Sequence, residues 1–220
     1  MNKNFLLKYK ILFKIYLLYY ALKYKFFINK KTYSQFGEDL VISNFFGNFV
    51  GKYVDIGCYH PVKYSNTALL HKKNWSGVNI DLSETSIQLF NYCRKKDLNI
   101  KACISDKKEN ISLYLVSDLS PLNSVHTENI EKFKLTNFKK VYIETQVFSE
   151  LVLDNFDFLN IDCEGNDYKI IKSIDLKKYT PKIICIEIHS KNQELIYNYL
   201  QSFDYELFEK KDVSHIFKKI

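Results

Sequence analysis

Two acidic residues in the sequence are placed where they could bind a nucleoside. The run at 52–56, which contains Asp55, is otherwise mostly apolar and breaks at Gly57 and Pro61; this pattern predicts a buried parallel strand that ends in a tight turn. Small molecules bind at such strand ends in open α/β sheets, and Gly57 lets the backbone approach a ligand because it has no Cβ. Asp81 ends the next predicted strand, where an acid can accept hydrogen bonds from both hydroxyls of a ribose.

The turn after Gly57 lacks the glycine pattern that binds a pyrophosphate. No G-x-G-x-x-G sequence is present, so no second or third glycine brings a phosphate onto the start of the following helix. A nucleoside without phosphates therefore fits better than a dinucleotide, and S-adenosylmethionine is the common cofactor of that type. A strand ending in D-x-G also occurs where no ligand binds, so the surrounding sequence must decide. We expect His60, in the same turn, to hydrogen-bond loop backbone rather than a ligand.

Patterns of apolar residues predict an α/β domain around these acids. Two half-exposed strands, at 111–115 and 141–147, flank a polar segment at 117–140, which we interpret as a cover over the substrate or, alternatively, as a disordered insertion. An antiparallel strand pair at 205–208 and 214–217 ends the chain. The remaining predicted elements are buried strands at 52–57, 77–81, 98–104, 156–162 and 182–189, and helices at 39–46, 68–73, 83–92, 167–174 and 193–202.

Composition limits the chain to one α/β domain with a short extension. The 220 residues are 46% hydrophobic and 26% charged, which is enough to bury a core, and we assign 1–31 to the extension and 32–220 to the domain. The five cysteines are odd in number and widely spaced, which argues against disulfides and favours a cytoplasmic protein. Residues 1–31 contain eight lysines and no acid, whereas the whole chain has a net charge of +7. The domain itself is therefore slightly acidic, and we expect no nucleic-acid partner.

Residues 4–28 combine apolar runs with lysines and predict a basic amphipathic helix. The runs are too short to span a bilayer, which needs about 20 apolar residues, and no signal-peptide cleavage site follows them. At about 100° per residue, Lys3, Lys10, Lys14 and Lys25 lie within roughly 60° of one another. The helix could lie on the inner face of the membrane, held by anionic lipids, or it could pack against the domain or a second subunit; the sequence favours neither.

Four separated segments of the chain resemble the FkbM-type family of S-adenosylmethionine-dependent methyltransferases. They are Tyr33–Leu40, His60–Thr67, Asn74–Asp81 and Phe158–Gly165, and they agree with the family in residue type, order and spacing. The resemblance extends over residues 33 to 208. It implies a Rossmann-like class I methyltransferase fold, an α/β fold in which a mostly parallel seven-stranded sheet has helices on both faces. It also implies, for most members, methyl transfer to a hydroxyl oxygen.

Methyl transfer to a hydroxyl requires aligned reactants and the removal of a proton. Candidate bases lie at the predicted ends of two strands: Glu164 follows the fourth strand and His189 ends the fifth. A histidine has a pKa near 6.5, so it can accept a proton at neutral pH. We expect His189 or Glu164 to be the base and Asp162 to orient the cofactor or the acceptor. Glu164 could instead cap a helix, and His189 could have a structural role. Asp162, Glu164 and His189 could also hold a divalent cation, although their spacing is not that of a metal-binding motif.

Further candidate contacts to the cofactor come from two other segments. Gln35 and Glu38 lie in Tyr33–Leu40, which the resemblance places beside the cofactor cleft, although an acid at a helix start also fits a capping role. Ser105 and Asp106 follow the third predicted strand. A side-chain acceptor there could bind the adenine amino group, or the two residues could form a simple turn.

These observations predict a cytoplasmic methyltransferase that acts on a small molecule or a glycan. A sugar hydroxyl of a surface glycan or secondary metabolite is the expected acceptor, on the resemblance alone. One alternative is a non-catalytic, membrane-associated binding subunit of a glycan-assembly complex that retains the fold; the intact Asp55, Gly57 and Asp81 argue against it. A nucleotide-sugar dehydrogenase or epimerase would need a Tyr-x-x-x-Lys pair after the fourth strand, but Tyr168 and Lys169 are adjacent.

Overall fold

The computed structural model describes residues 31–116 and 138–220, together with positions 11, 12, 14–16, 18, 19 and 22, which are helical. The rest of the predicted helix over 4–28, and residues 117–137 of the predicted cover segment, lie outside the described residues. No helix in the described part of the chain is long and apolar enough to cross a membrane.

Strands and helices alternate over residues 38–101 and 148–211, as the sequence pattern predicts. The strands are β1 (Lys52–Ile56), β2 (Ser76–Asp81), β3 (Leu98–Lys101), β4 (Cys103–Ser105), β5 (Asn110–Leu115), β6 (Lys139–Val147), β7 (Phe158–Ile161), β8 (Ile183–Glu187), β9 (Tyr205–Lys211) and β10 (Ser214–Lys219). The α-helices from residue 31 onwards are α1 (Glu38–Phe46), α2 (Ala68–Lys72), α3 (Glu84–Cys93), α4 (Phe148–Leu151), α5 (Asp167–Ser173) and α6 (Gln193–Gln201).

Seven of the strands form one sheet, in the order β3-β2-β1-β7-β8-β10-β9. The first five strands of that order are parallel, and β10 is antiparallel to both of its neighbours. The mostly parallel seven-stranded sheet and its closing antiparallel pair were predicted, and both are confirmed. β1 pairs with β2 on one side and with β7 on the other. The carboxyl ends of these three strands therefore lie side by side, at what we call the carboxyl edge of the sheet.

Successive residues of the central strands bury opposite faces of the sheet. Val54 and Ile56 of β1 pack with Ile161 of β7 in one core, which α5 and α6 cover. Tyr53 and Phe158 belong to the other core, which α1 and α2 cover. Because both faces are buried, the strands need apolar side chains at nearly every position. Polar groups with exposed surface are then concentrated at the strand ends.

The third predicted strand, at 98–104, is divided in two, which corrects the prediction. β3 ends at Lys101, which pairs with Asp81, the last residue of β2. Beyond that point β2 offers no further partner, so the chain leaves the large sheet after Ala102 and continues as β4. There it pairs with β6 in a second, three-stranded sheet of order β4-β6-β5.

β5 and β6, which were predicted as half-exposed strands and are confirmed, form an antiparallel arm. β4 starts at the carboxyl edge and β6 runs parallel to it, with Cys103 beside Thr145. The other end of β6 is fixed by Phe148, whose ring lies 6.0 Å from that of Phe156, just before the start of β7. β6 therefore runs away from the carboxyl edge towards the opposite one. Its first residues, and the end of β5 that pairs with them, lie on the side of the carboxyl edge; we call residues 110–115 and 138–144 the β5–β6 arm.

Candidate functional site

The turn after β1 brings three strand ends together. Gly57 has φ 77°, and a Cβ on it would overlap the carbonyl oxygen of Asp162 at the end of β7. Its N–H donates to the carbonyl of Ile80 in β2, with N and O 2.9 Å apart, while the N–H of Asp162 donates to Ile56 at 3.0 Å. Only glycine can combine this backbone angle with such a close approach. The glycine predicted from the sequence therefore closes the centre of the carboxyl edge.

Asp55 lies just beneath that turn and is fully buried. One carboxylate oxygen accepts a hydrogen bond from Thr67 Oγ1 at 2.7 Å and the other accepts one from Asn160 Nδ2 at 2.8 Å. Burial raises the pKa of Asp55, although these donors and the charge of Arg94 oppose the rise. Asp55 thus connects β1 to β7 and to the start of α2. Contact between Asp55 and the cofactor stays a prediction.

Asp81 stands at the end of β2 and is only half-buried. Its carboxylate accepts hydrogen bonds from the backbone N–H of Tyr59, at 2.7 Å, and of Ser83, at 2.8 Å. These bonds fix the side chain between the turn after β1 and the start of α3. A carboxylate has about four acceptor positions on its two oxygens, so ribose hydroxyls can be accepted in addition to the two backbone donors.

A buried arginine holds the loop between Cys58 and Thr67, and the sequence analysis missed it. Arg94, at the end of α3, donates to the carbonyl of Pro61 at 2.6 Å, to Ser65 Oγ at 3.0 Å and to Thr67 Oγ1 at 2.8 Å. It also donates to the hydroxyl of Tyr53 at 2.9 Å. Four directed hydrogen bonds from one planar group require a guanidinium. A signal was present in the sequence, because Arg94 is its only arginine among 32 lysines and arginines.

Carboxylates gather at the end of β7 and β8. Desolvation by the surrounding protein raises the pKa of the Asp162 carboxyl group, and the nearby carboxylates of Glu187 and Asp167 raise it further. Asp162 is nevertheless exposed to solvent, the combination expected on the wall of a cleft. Glu164 adds to the effect on Asp162 and has φ 51°. We call Asp162, Glu164 and Glu187 the acidic rim.

The loop that carries the acidic rim is fixed by Asp167. This buried residue accepts hydrogen bonds from the N–H of Cys163 at 2.8 Å and of Gly165 at 3.0 Å. Burial raises the pKa of Asp167 to about 7, although the two N–H donors favour the ionised form. The turn and helix start considered for Glu164 in the sequence are therefore present, with Asp167 as the residue that stabilises them.

His189 lies just beyond the end of β8, beside Glu187. Its Nε2 is 3.6 Å from Glu187 Oε2, and the two side chains are 40% and 12% exposed. The structure thus pairs the predicted base with a carboxylate that the sequence analysis did not single out. Within the described residues, no group of three or more His, Cys, Asp or Glu side chains is arranged to hold a metal ion.

The segment before α1 is held by its own side chains. Asp39 accepts hydrogen bonds from the N–H of Tyr33 at 2.7 Å and from Ser34 Oγ at 2.7 Å. Glu38 is buried and accepts a hydrogen bond from the N–H of Phe36 at 2.7 Å. Burial raises the pKa of Cys185 in β8, and the charge of Glu38 raises it further. Gln35 is exposed. Cofactor contact by Gln35 or Glu38 stays a prediction.

Two other predicted groups lie where the chain leaves the large sheet. Ser105 is the last residue of β4 rather than the end of β3, and its hydroxyl donates to Asp106 Oδ1 at 3.1 Å. The break after Lys101 therefore places Ser105 in the second sheet, with Asp106 just after it, rather than at the end of a strand of the large sheet. His60 Nδ1 accepts from the N–H of Val62 and of Lys63, so the expected contact with loop backbone is present.

The strand order and the glycine turn together define a class I methyltransferase fold. Among solved structures, the chain is similar to methyltransferase FkbM from Methylobacillus flagellatus, with a TM-score of 0.51 and 13% identity, over 77% of this chain and 43% of that one. It is also similar to TehB from Haemophilus influenzae, with a TM-score of 0.46 and 13% identity, over 90% and 66% of the two chains. The chain thus spans less than half the length of the Methylobacillus protein.

The sequence matches the methyltransferase FkbM domain over residues 55–207. The match extends over more than half of the chain, which therefore belongs to this family. The predicted resemblance is confirmed, as is the class of fold. A comparison with curated proteins finds no match.

The residues at the carboxyl edge fit S-adenosylmethionine, the methyl donor that the family implies. Asp81 is held with part of its surface exposed, as an acceptor of ribose hydroxyls must be. The acidic rim would face the sulfonium and the amino group, both of which are positively charged. The mutual repulsion that raises the pKa of Asp162 would be relieved by such a cation, whereas a pyrophosphate would increase it.

Proposed function

We propose that this chain transfers the methyl group of S-adenosylmethionine to a hydroxyl oxygen, most simply one on a sugar of a glycan. The observation that carries the proposal is the arrangement of the carboxyl edge. The fixed Asp81 carboxylate, Gly57 and the acidic rim lie on four adjacent strand ends, those of β2, β1, β7 and β8. That edge is where open α/β sheets bind ligands, and its negative charge suits a cationic donor without phosphates.

The bound donor supplies an activated methyl group on a positively charged sulfur. The task of the chain is to hold the acceptor oxygen in line with that carbon at near-attack distance and to remove the hydroxyl proton as the new bond forms. In our proposal the imidazole of His189 takes this proton. Glu187, 3.6 Å away, orients the ring and stabilises the charge that it acquires, as a carboxylate does beside a catalytic histidine.

The β5–β6 arm offers a surface for the acceptor. Tyr114, Lys140 and Tyr142 lie on one face of this antiparallel pair, with Lys140 Nζ 5.7 Å from the centre of the Tyr114 ring and 5.6 Å from that of Tyr142. Tyr142 is 72% exposed, and Phe138 packs edge-on against Tyr114. Flat aromatic rings can pack against the apolar face of a sugar. We propose that this face binds the acceptor while its hydroxyl reaches the carboxyl edge.

The central experiment measures donor binding and methyl transfer separately. Calorimetric titration with S-adenosylhomocysteine reports binding, and a labelled methyl donor incubated with a panel of glycans reports transfer. The proposal requires both. Binding without transfer to any glycan would favour the non-catalytic binding subunit, and absence of binding would refute the assignment of the site.

His189→Ala tests the proposed base. Loss of a general base lowers turnover by about 10²- to 10⁴-fold, while affinity for S-adenosylhomocysteine should stay the same because the imidazole acts on the acceptor. Lys191→Ala, an exposed neighbour two residues away, is the control and should retain activity. Unchanged turnover in His189→Ala would remove this residue from the mechanism and leave Glu164 as the remaining candidate.

Tyr142→Ala tests the acceptor surface. We expect a higher KM for the acceptor and an unchanged affinity for S-adenosylhomocysteine, because the arm contacts only the acceptor. Tyr92→Ala removes a tyrosine that is 46% exposed on α3 and serves as the control. An unchanged KM in Tyr142→Ala would place the acceptor elsewhere.

A further inference from the structure

Exposed apolar side chains lie along one side of the helical positions between residues 11 and 22. Ile11, Ile15, Leu18, Tyr19 and Leu22 are between 37% and 75% exposed. At about 100° per residue they fall within an arc of roughly 100° on the helix surface, which we call the apolar arc. Single exposed apolar residues are ordinary on protein surfaces, but a contiguous set marks an interaction site.

A lysine borders the apolar arc on one side. Lys14 is exposed and lies about 40° beyond Leu18 on a helical wheel. Residues 1–31 contain eight lysines and no acidic residue. A helix with an apolar face flanked by lysines is typical of one that lies in the plane of a bilayer surface, because the lysine stems extend along the apolar face and place their charges at the phosphates.

We propose that the apolar arc docks on the surface of an anionic phospholipid bilayer and holds the methyltransferase domain beside it. A second copy of the chain fits this surface less well, because the arc of that copy would bring its own lysines against those of the first. A nucleic acid would match the charge but not the apolar side chains. The contact is independent of the proposed methyl transfer.

Vesicle sedimentation of the full chain tests this proposal. We expect the protein to sediment with mixed phosphatidylcholine and phosphatidylglycerol vesicles and to remain in the supernatant with phosphatidylcholine alone. A basic residue near an anionic surface contributes about fivefold to binding, so Lys10→Gln with Lys14→Gln should weaken it by roughly 25-fold. The triple variant Ile11→Ser, Ile15→Ser, Leu18→Ser should abolish it.

The matched control replaces three exposed leucines elsewhere, Leu153→Ser, Leu195→Ser and Leu207→Ser, and should bind vesicles like the wild type. The thermal unfolding midpoint of each variant shows whether the domain is still folded.

Wild-type protein that does not sediment, or an arc variant that sediments as well as the control, overturns the proposal. So does an arc variant that changes only the oligomeric state in size-exclusion chromatography, which would assign the arc to a second copy. Vesicle binding by a protein that fails to bind S-adenosylhomocysteine would refute the methyltransferase proposal and leave this one standing.

Discussion

Asp81 is the residue on which donor binding most depends. Its carboxylate is the half-buried acceptor at the end of β2, and the N–H groups of Tyr59 and Ser83 hold it in place. We expect Asp81→Asn to weaken S-adenosylhomocysteine binding by about 10- to 100-fold, because hydrogen bonds to a charged group contribute about 1.5–3 kcal/mol. Calorimetry measures this change, and Asp154→Asn, an exposed carboxylate paired with Lys52, should bind like the wild type. Equal affinity in the two variants would contradict the role of Asp81.

Asp167 makes stability depend on pH. Its pKa in the folded protein is about 7, above the value near 3.9 in an unfolded chain, so the folded state binds the proton more tightly. Its contribution to stability is therefore complete below about pH 4 and is lost as the pH rises through about 7. Between pH 5 and 8 we expect the wild type to lose roughly 2–3 kcal/mol of unfolding free energy relative to Asp167→Asn. Urea unfolding of both proteins at the two pH values measures the difference, and parallel pH profiles would contradict the prediction.

His60 makes stability depend on pH in the opposite direction to Asp167, so the effect of Asp167 must be measured against a variant. Burial, together with the charges of Lys63 and Arg94, lowers the pKa of His60 to about 3. Because this value lies below that of a histidine in the unfolded chain, near 6.5, its contribution is present above about pH 6.5 and is lost as the pH falls. The wild-type profile alone would sum the two effects. The difference from Asp167→Asn removes the contribution of His60, which is common to both proteins.

At the scale of elements, the junction between β1 and β7 depends on Gly57. Alanine there would have both an unfavourable φ of 77° and a Cβ that overlaps the carbonyl of Asp162. Gly37 has φ 87°, but a Cβ on it would meet no atom within 4 Å, so Gly37→Ala measures the backbone cost alone, about 1–2 kcal/mol. We expect Gly57→Ala to lose at least twice as much stability in urea unfolding and to stop binding S-adenosylhomocysteine. Equal losses in the two variants would show that the strand ends can separate without consequence.

Arg94 connects the end of α3 to the loop before α2. Arg94→Lys keeps the charge but cannot make four directed hydrogen bonds, because an ammonium group has only three donors. We expect it to lower the unfolding free energy by roughly 2–3 kcal/mol, and Arg94→Met by about 3–5 kcal/mol, because methionine leaves the buried Asp55 without its nearby cation. Lys95→Met, an exposed neighbour, is the control. Wild-type stability in Arg94→Lys would mean that charge alone is required.

The elements themselves could be predicted where the pattern is local. The apolar run at 183–187, buried on both faces, and the alternation at 141–147 each follow from the burial of their own residues. The end of β3 could not be predicted, because Lys101 is the last residue with a partner in β2, and nothing in the run at 98–104 records the length of its neighbour. The β5–β6 arm was predicted as strands but not in its direction, which depends on the packing of Phe148 near the start of β7.

At the scale of the molecule, the site could be predicted to the extent that it depends on the order of the strands. Asp55, Gly57, Asp81 and Asp162 come together because parallel strands end at one edge, and the sequence positions alone determine this. Side-chain pairs between distant segments could not be predicted. Arg94 meets Tyr53 across 41 positions in the sequence and Asn160 meets Asp55 across 105, and no local pattern relates such residues.

The last prediction concerns the whole domain, because a ligand that binds only the folded state stabilises all of it. At 100 times its dissociation constant, S-adenosylhomocysteine should add about 2.7 kcal/mol to the unfolding free energy. For a chain of this size each kcal/mol raises the melting temperature by roughly 2–4 °C, so we expect an increase of about 5–11 °C. The same concentration of NAD should have no effect, because its pyrophosphate would meet the acidic rim, and Asp81→Asn should need a correspondingly higher concentration of S-adenosylhomocysteine for the same increase. Stabilisation by NAD instead would contradict the charge argument from which the proposed donor follows.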